Sequence, residues 1–233
     1  MSCRVVINQS NYLPWKGYFD LIHDADVFIF LDDVQYTHRD WRSRNRIKTQ
    51  TSSSWLTIPA GSAGNRLINE VKLPDGDWRA RHWRLIEQSY RSSPHFSYAA
   101  GFFRELYSSS MPDYLSEFNQ FAIKRIAREF LGISTSFLRS EDFPTSKTKQ
   151  ERLLHLLQSV GATSYISGPA AKTYINPDDF AAEGIELIWK DYSAYPEYQQ
   201  PFPPFEHAVS IVDLLFCVGP RASDYIWGWR ETT

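Results

Sequence analysis

Two short apolar segments constrain the fold more than any other feature. Between them lie a turn rich in aromatic residues and a segment whose apolar residues are spaced as in a helix. The first runs from Arg4 to Asn8, and the second runs without a break from Val27 to Leu31. The residues from about Trp15 to His23 have the spacing of a helix. Uninterrupted runs with β-branched members are typical of strands buried on both faces of a parallel sheet. The N-terminus is therefore predicted to be a βαβ unit.

The rest of the chain contains further predicted strands and predicted helices. Strands are predicted over residues 55–59, 68–73, 134–138, 164–167 and 186–189, and helices over residues 78–90, 101–107, 114–131, 149–160 and 209–216. We interpret residues 1–233 as a single α/β domain built on a parallel sheet. The N- and C-terminal parts form its α/β core, and the middle, at about 78–132, is helix-rich.

Composition sets limits on the class of protein. With 42% apolar and 22% charged residues among 233, the chain can bury a sizeable core. A net charge of -2 argues against general nucleic-acid binding or anionic-membrane binding. Cys3 and Cys217 are too few for a disulfide framework or a four-cysteine zinc site, and no metal site is predicted. Without a signal-like N-terminus or a run approaching about 18 apolar residues, we expect a cytoplasmic protein.

Polar and aromatic side chains gather in the turn that follows the first predicted strand. Its candidate binding residues are Gln9, Asn11, Trp15, Lys16, Gly17 and Tyr18. Ligands of open α/β sheets bind beyond the carboxyl ends of the strands, so the turn is predicted to form one wall of a ligand site. The alternative is that the amides satisfy backbone groups and the aromatic rings belong to the core.

A cluster of acids and basic residues follows the second predicted strand. It contains Asp32 and Asp33 and the candidate binding residues Gln35, Arg39, Trp41, Arg44, Asn45, Arg46 and Lys48. Basic groups beside an aromatic ring suit a phosphate or carboxylate ligand. This cluster is predicted to face the turn after the first strand. The alternative is a solvated loop in which the acids neutralise the arginines.

Three further features are weaker candidates. Lys147 and Lys149 precede a helix, whose N-terminal end attracts anions, although ordinary capping explains the neighbouring hydroxyls equally well. Ser167 and Gly168 form a polar turn after another predicted strand. His82 lies among aromatic residues on a predicted helix and is either a base or a structural histidine.

Several segments together resemble the WbqC-like family of bacteria. They are Gln9 to Phe19, Phe30 to Tyr36, Arg44 to Lys48, Trp55 to Pro59, Tyr165 to Gly168 and Ser210 to Phe216, with the spacing of Trp78, His82, Ile86 and Tyr90. The family is associated with O-antigen and related surface-polysaccharide gene clusters. The resemblance implies attachment of an acyl or aminoacyl group to an amino sugar.

A more distant likeness is to the HxGH nucleotidyltransferase and adenylating enzymes, particularly pantothenate synthetase. The segment Trp15 to Tyr18 takes the place of the HxGH motif, and Asp33 to Tyr36 that of Pro-x-Gln-Phe. The likeness implies a nucleotidyltransferase-like α/β fold and activation of a carboxylate as an acyl-adenylate. Gly17 is kept, where backbone must approach phosphate closely. Both histidines are absent, so the arginines or the Lys147 turn would have to stabilise the phosphate.

The residues and the resemblance predict an enzyme that forms an amide on an amino sugar, with a nucleotide-linked sugar as its small-molecule substrate. His82, Asp32 and Asp33 are the candidate bases, because the amine must lose a proton. ATP with magnesium or another activated acyl donor is the candidate cofactor. Two alternatives stay open. One is an ATP-dependent ligase or nucleotidyltransferase acting on a non-sugar substrate, and the other is a non-catalytic nucleotide or nucleotide-sugar binding protein.

Overall fold

A parallel sheet forms the centre of the protein, in a computed structural model that describes residues 2–62, 64–108 and 112–230. The strands in this part of the chain are β1 (Arg4–Asn8), β2 (Val27–Phe30), β3 (Arg44–Lys48), β4 (Ser53–Thr57), β5 (Ser136–Arg139), β6 (Ser164–Ser167) and β7 (Glu186–Trp189). Five of them form the sheet in the order β5-β2-β1-β6-β7, and every adjacent pair is parallel. The arrangement is consistent with a nucleotidyltransferase-like α/β fold.

Helices pack on both faces of the sheet. They are α1 (Lys16–Asp24), α2 (Trp78–Tyr90), α3 (Phe96–Leu106), α4 (Leu115–Arg125), α5 (Lys149–Ser159), α6 (Pro177–Ala182) and α7 (Ile211–Val218). Helix α4 continues into a π-helical turn over Ile126–Phe130. Gly132 then ends the helical segment with a φ of 64°, a backbone conformation that favours glycine.

The N-terminal βαβ unit is confirmed. β1 pairs with β2 in register from Val5 with Val27 to Asn8 with Phe30, and α1 makes the crossover. The two strands therefore end level with each other. Because parallel strands share one carboxyl edge, the segments that follow β1 and β2 leave the sheet side by side.

The apolar runs of β1 and β2 are buried on both faces of the sheet. Val6 and Phe28 belong to the larger core, together with residues of α3, α4 and α7. Val5 and Ile29 belong to the smaller core, together with residues of α5 and α6. Successive side chains of a strand point to opposite faces of the sheet. Because both faces are buried here, every residue of the strand contributes an apolar side chain to one core or the other.

The hairpin of β3 and β4 carries the basic segment and docks against the turn after β1. The Asn45 side chain donates to the carbonyl oxygens of Tyr12 and Leu13 at 3.2 and 2.7 Å. The backbone N–H of Ser210 donates to the carbonyl of Arg46 at 2.8 Å, just before α7 begins. These bonds hold the predicted binding residues of the hairpin beside the predicted turn.

Two further strand predictions have different outcomes. The strand predicted over 68–73 is wrong, because Ile68–Glu70 forms a 3-10 turn. The backbone N–H of Ile68 bonds to Val34, whereas that of Leu73 bonds to Asp113, so the segment meets two different partners and builds no ladder. The strand predicted over 55–59 is β4, which pairs antiparallel with β3 outside the central sheet.

Helix boundaries differ modestly from the prediction, since α3 begins at Phe96 rather than at residue 101. The helix predicted over 209–216 is α7, which begins after Ser210 because the Ser210 hydroxyl caps it by accepting from the N–H of Val212. In the described ranges, no helix combines the length and the apolar character that crossing a bilayer requires.

Candidate functional site

The turn after β1 lies against the segment after β2. The backbone N–H of Ser10 donates to Asp32 at 2.8 Å, and the N–H of Leu31 donates to the carbonyl of Asn8 at 2.9 Å. The Asn119 side chain of α4 also donates to the carbonyl of Arg42, at 2.9 Å. The two polar segments are therefore fixed to each other at the carboxyl edge of the sheet.

A cavity of about 220 Å³, which we call the indole cavity, opens where these segments meet. Its walls are Asn11, Pro14, Trp15, Trp41, Asn45 and Ala208. Four of the predicted binding residues thus share one cavity. The Oδ1 atom of Asn11 is buried and has no hydrogen-bond partner in the described part of the protein. Because a buried acceptor without a partner is unfavourable, Asn11 is a candidate for contact with a ligand N–H.

Backbone strain shapes the turn that forms this cavity. Leu13 is fully buried and has a φ of 40°, which is rare for a residue with a branched side chain. The Asn45 amide holds the turn by binding the carbonyl of Leu13 and that of the preceding residue. Strained residues of this kind occur where the surrounding structure fixes a site.

Trp15 fills the space above Gly17. A Cβ atom added at Gly17 would lie 2.3 Å from the Trp15 ring, so a larger residue there would have to displace the ring. The Trp15 ring also packs edge-to-face against Tyr192 and Tyr195, with centroids 5.1 and 5.9 Å away. The chain's own indole lies where the sequence predicted a close approach of phosphate to Gly17, and that contact stays a prediction.

A surface of indole rings and guanidinium groups borders the cavity, and we call it the guanidinium–indole surface. It consists of Trp41, Trp55, Arg44 and Arg46. Trp41 and Trp55 are 45% and 42% exposed, and their ring centroids lie 5.7 Å apart. The Arg44 guanidinium lies 4.1 Å from the centroid of Trp55. The Arg46 side chain is bound to Glu206 at 2.6 Å, whereas the Arg44 guanidinium has no ion pair or hydrogen bond among the described residues.

Neutralisation of the arginines by neighbouring acids is only partial. Arg42 is bound to Asp40 at 2.6 Å, which fits the salt-bridged alternative. Asp33 and Asp32 have partners elsewhere. Arg39 is exposed, with a φ of 53° and no ion pair among the described residues. Arg44 and Arg39 are consequently the cations of this segment that an anionic ligand can reach.

A second cavity lies between β1 and β6. These strands pair only through Arg4 with Ser164 and Val5 with Tyr165, and the ladder is not continued toward their carboxyl ends. The opening of about 170 Å³, which we call the β1–β6 crevice, is lined by Asn8, Ser167 and Gly168 among others. Strand order reverses direction at β1, and open α/β sheets bind ligands at such a point.

Tyr192 lies next to residues of both cavities. Its ring contacts Trp15 of the indole cavity, and its hydroxyl lies 3.5 Å from the position of a Cβ at Gly168. Gln9, which follows Asn8 directly, is half-buried. The structure therefore brings the predicted residues of the opening turn close to the predicted turn at Ser167.

Asp32 and Asp33 are held by partners that the sequence prediction did not include. Asp32 is fully buried and accepts from the Ser10 N–H and from the Gln120 side chain, both at 2.8 Å. Burial raises the pKa of this carboxyl. Asp33 is bound to Arg152 of α5 and accepts from the Ser140 hydroxyl. Neither acid lines the indole cavity, so the role of base predicted for them is not supported there.

Lys147 and Lys149 are exposed at the start of α5. Arg152 lies in the same helix and binds Asp33, which follows β2. The structure does not bring the two lysines into either cavity. Their predicted contact with a phosphate stays a prediction.

His82 lies in the core between α2 and β4. Its Nδ1 is 2.8 Å from the Tyr12 hydroxyl, and its Nε2 is 3.2 Å from the carbonyl oxygen of Thr57. Burial lowers the pKa of His82 to about 4. Both ring nitrogens are engaged and the side chain is only 7% exposed, so the structural alternative fits His82 and the role of base does not.

Four other predicted binding residues donate hydrogen bonds to backbone carbonyl groups of the protein. Lys16 donates to the Pro196 carbonyl at 3.2 Å, Lys48 to the Pro204 carbonyl at 2.6 Å, Tyr18 to the Gln9 carbonyl at 2.9 Å, and Gln35 to the Gly64 carbonyl at 2.9 Å. Each of these bonds ties a loop to the framework. Lys16, at 2% exposure, has its pKa lowered to about 8 by burial. These side chains position the site rather than line it.

The prediction missed Trp55, Tyr192 and Asn8. Trp55 stands opposite Arg46 in the register of the β3–β4 hairpin, so a prediction of that register would have placed it beside the arginines. Tyr192 lies in a loop more than 170 residues after Trp15, and no sequence pattern links the two.

One carboxylate group has the spacing of a metal site, but basic side chains already occupy it. Among the described residues, Asp20, His23 and Asp24 could place ligand atoms within 4.8 Å of one another. Lys190 lies 2.8 Å from Asp20, and Arg230 lies 2.9 Å from Asp24. Because these cations already compensate the carboxylates, the cluster joins α1 to β7 and to the C-terminal segment.

Comparison with known proteins identifies the family. The WbqC-like protein family matches residues 9–225, a range that contains the walls of the indole cavity. The chain belongs to the WbqC-like protein family. It is also 43% identical, over 230 residues, to "Uncharacterized protein Rv1507c" of Mycobacterium tuberculosis (strain ATCC 25618 / H37Rv), covering 98% of this chain and 99% of that protein.

Membership of the WbqC-like family is consistent with a polysaccharide-associated role. The likeness to pantothenate synthetase is not supported by these comparisons, which concern the WbqC-like family alone. The geometry agrees with that outcome, because Trp15 covers Gly17 where the adenylating enzymes would need open space.

Proposed function

We propose that the protein binds a nucleotide-linked amino sugar at the indole cavity and transfers an acyl or aminoacyl group to its amine. One observation carries the proposal above the others. Arg44 lies on the exposed Trp55 ring without an ion-pair partner in the described ranges, beside a cavity that contains the unpartnered Asn11 oxygen. A cation, two indole rings and a free acceptor are the groups that an anionic ligand with a ring and an N–H would need.

The size of the cavity indicates which part of such a ligand would lie inside it. At about 220 Å³ it is smaller than the ~300–1,000 Å³ typical of ligand pockets, so it accommodates one ring and not a whole nucleotide sugar. The rest of the ligand would lie on the guanidinium–indole surface. In this proposal a ring stacks on Trp41, and Arg44 binds the phosphates through charge-assisted hydrogen bonds.

The amide would form by attack of the amine on an activated acyl carbonyl. With a thioester donor, the C–N bond forms, the C–S bond breaks and the electron pair leaves on sulfur. The amine proton then passes to the departing thiolate. Asp32, Asp33 and His82 do not line the indole cavity, so the proposed contribution of the protein is to position the two reactants.

A second candidate function is binding without turnover. The observation that favours it is the placement of His82, Asp32 and Asp33, each of which has protein partners instead of facing the indole cavity. The two functions share the ligand and differ in whether an amide product appears. Mass spectrometry of the sugar after incubation with acyl-CoA distinguishes them.

A thermal-shift panel with Arg44→Ala tests the proposed site. The ligands are UDP-glucosamine, ATP with magnesium, and acetyl-CoA, and ligand binding raises Tm by mass action. We expect UDP-glucosamine to stabilise the wild type and Arg44→Ala to weaken its binding about tenfold or more, because charge-assisted hydrogen bonds are lost. Arg81→Ala is the matched control, since Arg81 lies on α2 in an exposed ion pair with Asp77.

Two results would contradict the proposal. One is an equal response of Arg44→Ala and the wild type to the nucleotide sugar, which would place the ligand elsewhere. The other is stabilisation by ATP with magnesium alone, which would favour the ligase alternative.

A further inference from the structure

A third cavity, remote in sequence from the turn after β1, lies among the α2–α3 connection, the loop before α7 and the end of α7. Its volume is about 500 Å³, within the ~300–1,000 Å³ of small-molecule sites. The His95 ring forms one wall of the cavity and packs against Gly219. A Cβ atom at residue 219 would lie 2.6 Å from atoms of that ring, so the absence of a side chain allows this packing. None of the cavity's lining residues was predicted to bind a ligand.

A buried polar atom in this cavity lacks a partner. Ser93 is only 9% exposed, and its hydroxyl has no hydrogen-bond partner among the described residues. The His95 imidazole and the Gln199 amide also line the cavity, and neither side chain has a hydrogen bond within the described ranges. Three polar side chains of this cavity are therefore free to bind a ligand.

The charge and the apolar surface of the cavity narrow the class of ligand. Arg221 is bound to Asp224 at 2.9 Å, so its charge already has a partner. Phe202 and Tyr225 add aromatic rings to the walls. Hydrogen-bonding side chains beside aromatic rings suit a ring with hydroxyl groups on its edge and C–H groups on its faces. A phosphate or a carboxylate would have to compete with Asp224 for Arg221, the arginine that lines the cavity.

We infer that this cavity binds a neutral sugar residue, at a site separate from the nucleotide site proposed above. The sugar hydroxyls would bond to Ser93, His95 and Gln199, and one face of the sugar would lie against Phe202. The inference does not rest on the indole cavity. If the experiment contradicts one of the two proposed sites, the other site is still tested by its own experiment.

Saturation-transfer NMR with N-acetylglucosamine, galactose and rhamnose tests the site. We expect saturable binding of at least one of these sugars, weakened about three- to tenfold by Ser93→Ala, as loss of one hydrogen bond predicts. Phe202→Ala should weaken the same signal. This side chain lies outside both hydrophobic cores, so the variant is expected to fold. Ser97→Ala, an exposed serine on α3, is the matched control and should bind like the wild type.

Arg44→Ala separates the two proposed sites. It should leave the neutral-sugar signal unchanged, even where it abolishes the response to UDP-glucosamine. The inference is overturned if none of the three sugars binds saturably. It is equally overturned if the signal survives both Ser93→Ala and Phe202→Ala but disappears in Arg44→Ala.

Discussion

At the scale of single residues, Gly17 and Trp15 show how an absent side chain shapes the candidate site. The indole ring lies where a Cβ of residue 17 would be, so the orientation of Trp15 in the cavity depends on glycine two positions later. Gly17→Ala should therefore force the ring away and destabilise the fold by about 1–3 kcal/mol, as overpacking generally does. Urea unfolding measures the loss.

Gly101→Ala is the control for this substitution. Gly101 also lies in a helix, and a Cβ there meets no atom within 4 Å, so we expect a gain of about 0.4–1 kcal/mol. In a Trp15→Ala background, Gly17→Ala should lose most of its effect, because the clashing ring is absent. Equal stability of Gly17→Ala and the wild type would show that the ring does not occupy this position.

His82 gives a prediction on pH at the same scale. Its pKa is lowered to about 4 in the folded protein, below the ordinary value of about 6.5, so the unfolded chain binds a proton that the folded protein does not. This contribution to stability is complete above pH 6.5 and is lost as the pH falls toward 4. The difference in unfolding free energy between wild type and His82→Gln should therefore shrink from pH 7 to pH 4.5. A constant difference would mean that His82 is accessible to solvent.

At the scale of elements, the β3–β4 hairpin and the turn after β1 form one unit. Asn45 supplies the bonds to the carbonyls of Tyr12 and Leu13, and Leu13 has a positive φ. Asn45→Ala should destabilise the protein by about 1–3 kcal/mol, because two buried carbonyl groups lose a donor. It should also weaken nucleotide-sugar binding, since Asn45 lines the cavity.

Ser54→Ala is the control on the same hairpin. Ser54 is half-buried, and its side chain makes no hydrogen bond within the described ranges, so the change in stability should stay within about 0.5 kcal/mol. Guanidinium chloride unfolding compares the two variants. If both are as stable as the wild type, the Asn45 bonds do not hold the turn.

At the scale of the whole molecule, local patterns predicted the architecture better than the site. The apolar runs of β1 and β2 predicted a buried parallel pair, because burial on both faces leaves a mark on every residue of a strand. The position of ligand-facing turns followed from the shared carboxyl edge. Asn11, Trp15, Trp41 and Asn45 were grouped by this reasoning, and they share a cavity.

The sequence could not predict the roles of the candidate acids and bases, because their partners lie far away in the chain. Asp33 binds Arg152, which is 119 residues away, and Asp32 binds Gln120, which is 88 residues away. No periodicity encodes such pairs. The sequence alone left His82 open as a base or a structural histidine, because its core partners Tyr12 and Thr57 belong to other elements. Candidate acids and bases are identified by their partners, and those become visible only in three dimensions.

The central claim is that a nucleotide-linked ligand binds at the indole cavity and on the guanidinium–indole surface. The most direct test is a titration of the ¹⁵N-labelled protein with UDP-glucosamine, following the indole N–H signals of its eight tryptophans after assignment by Trp→Phe substitution. We predict that the signals of Trp15, Trp41 and Trp55 move together and saturate, while that of the buried Trp78 stays in place. If no indole signal moves, or only those of Trp189, Trp227 and Trp229 move, the claim is contradicted.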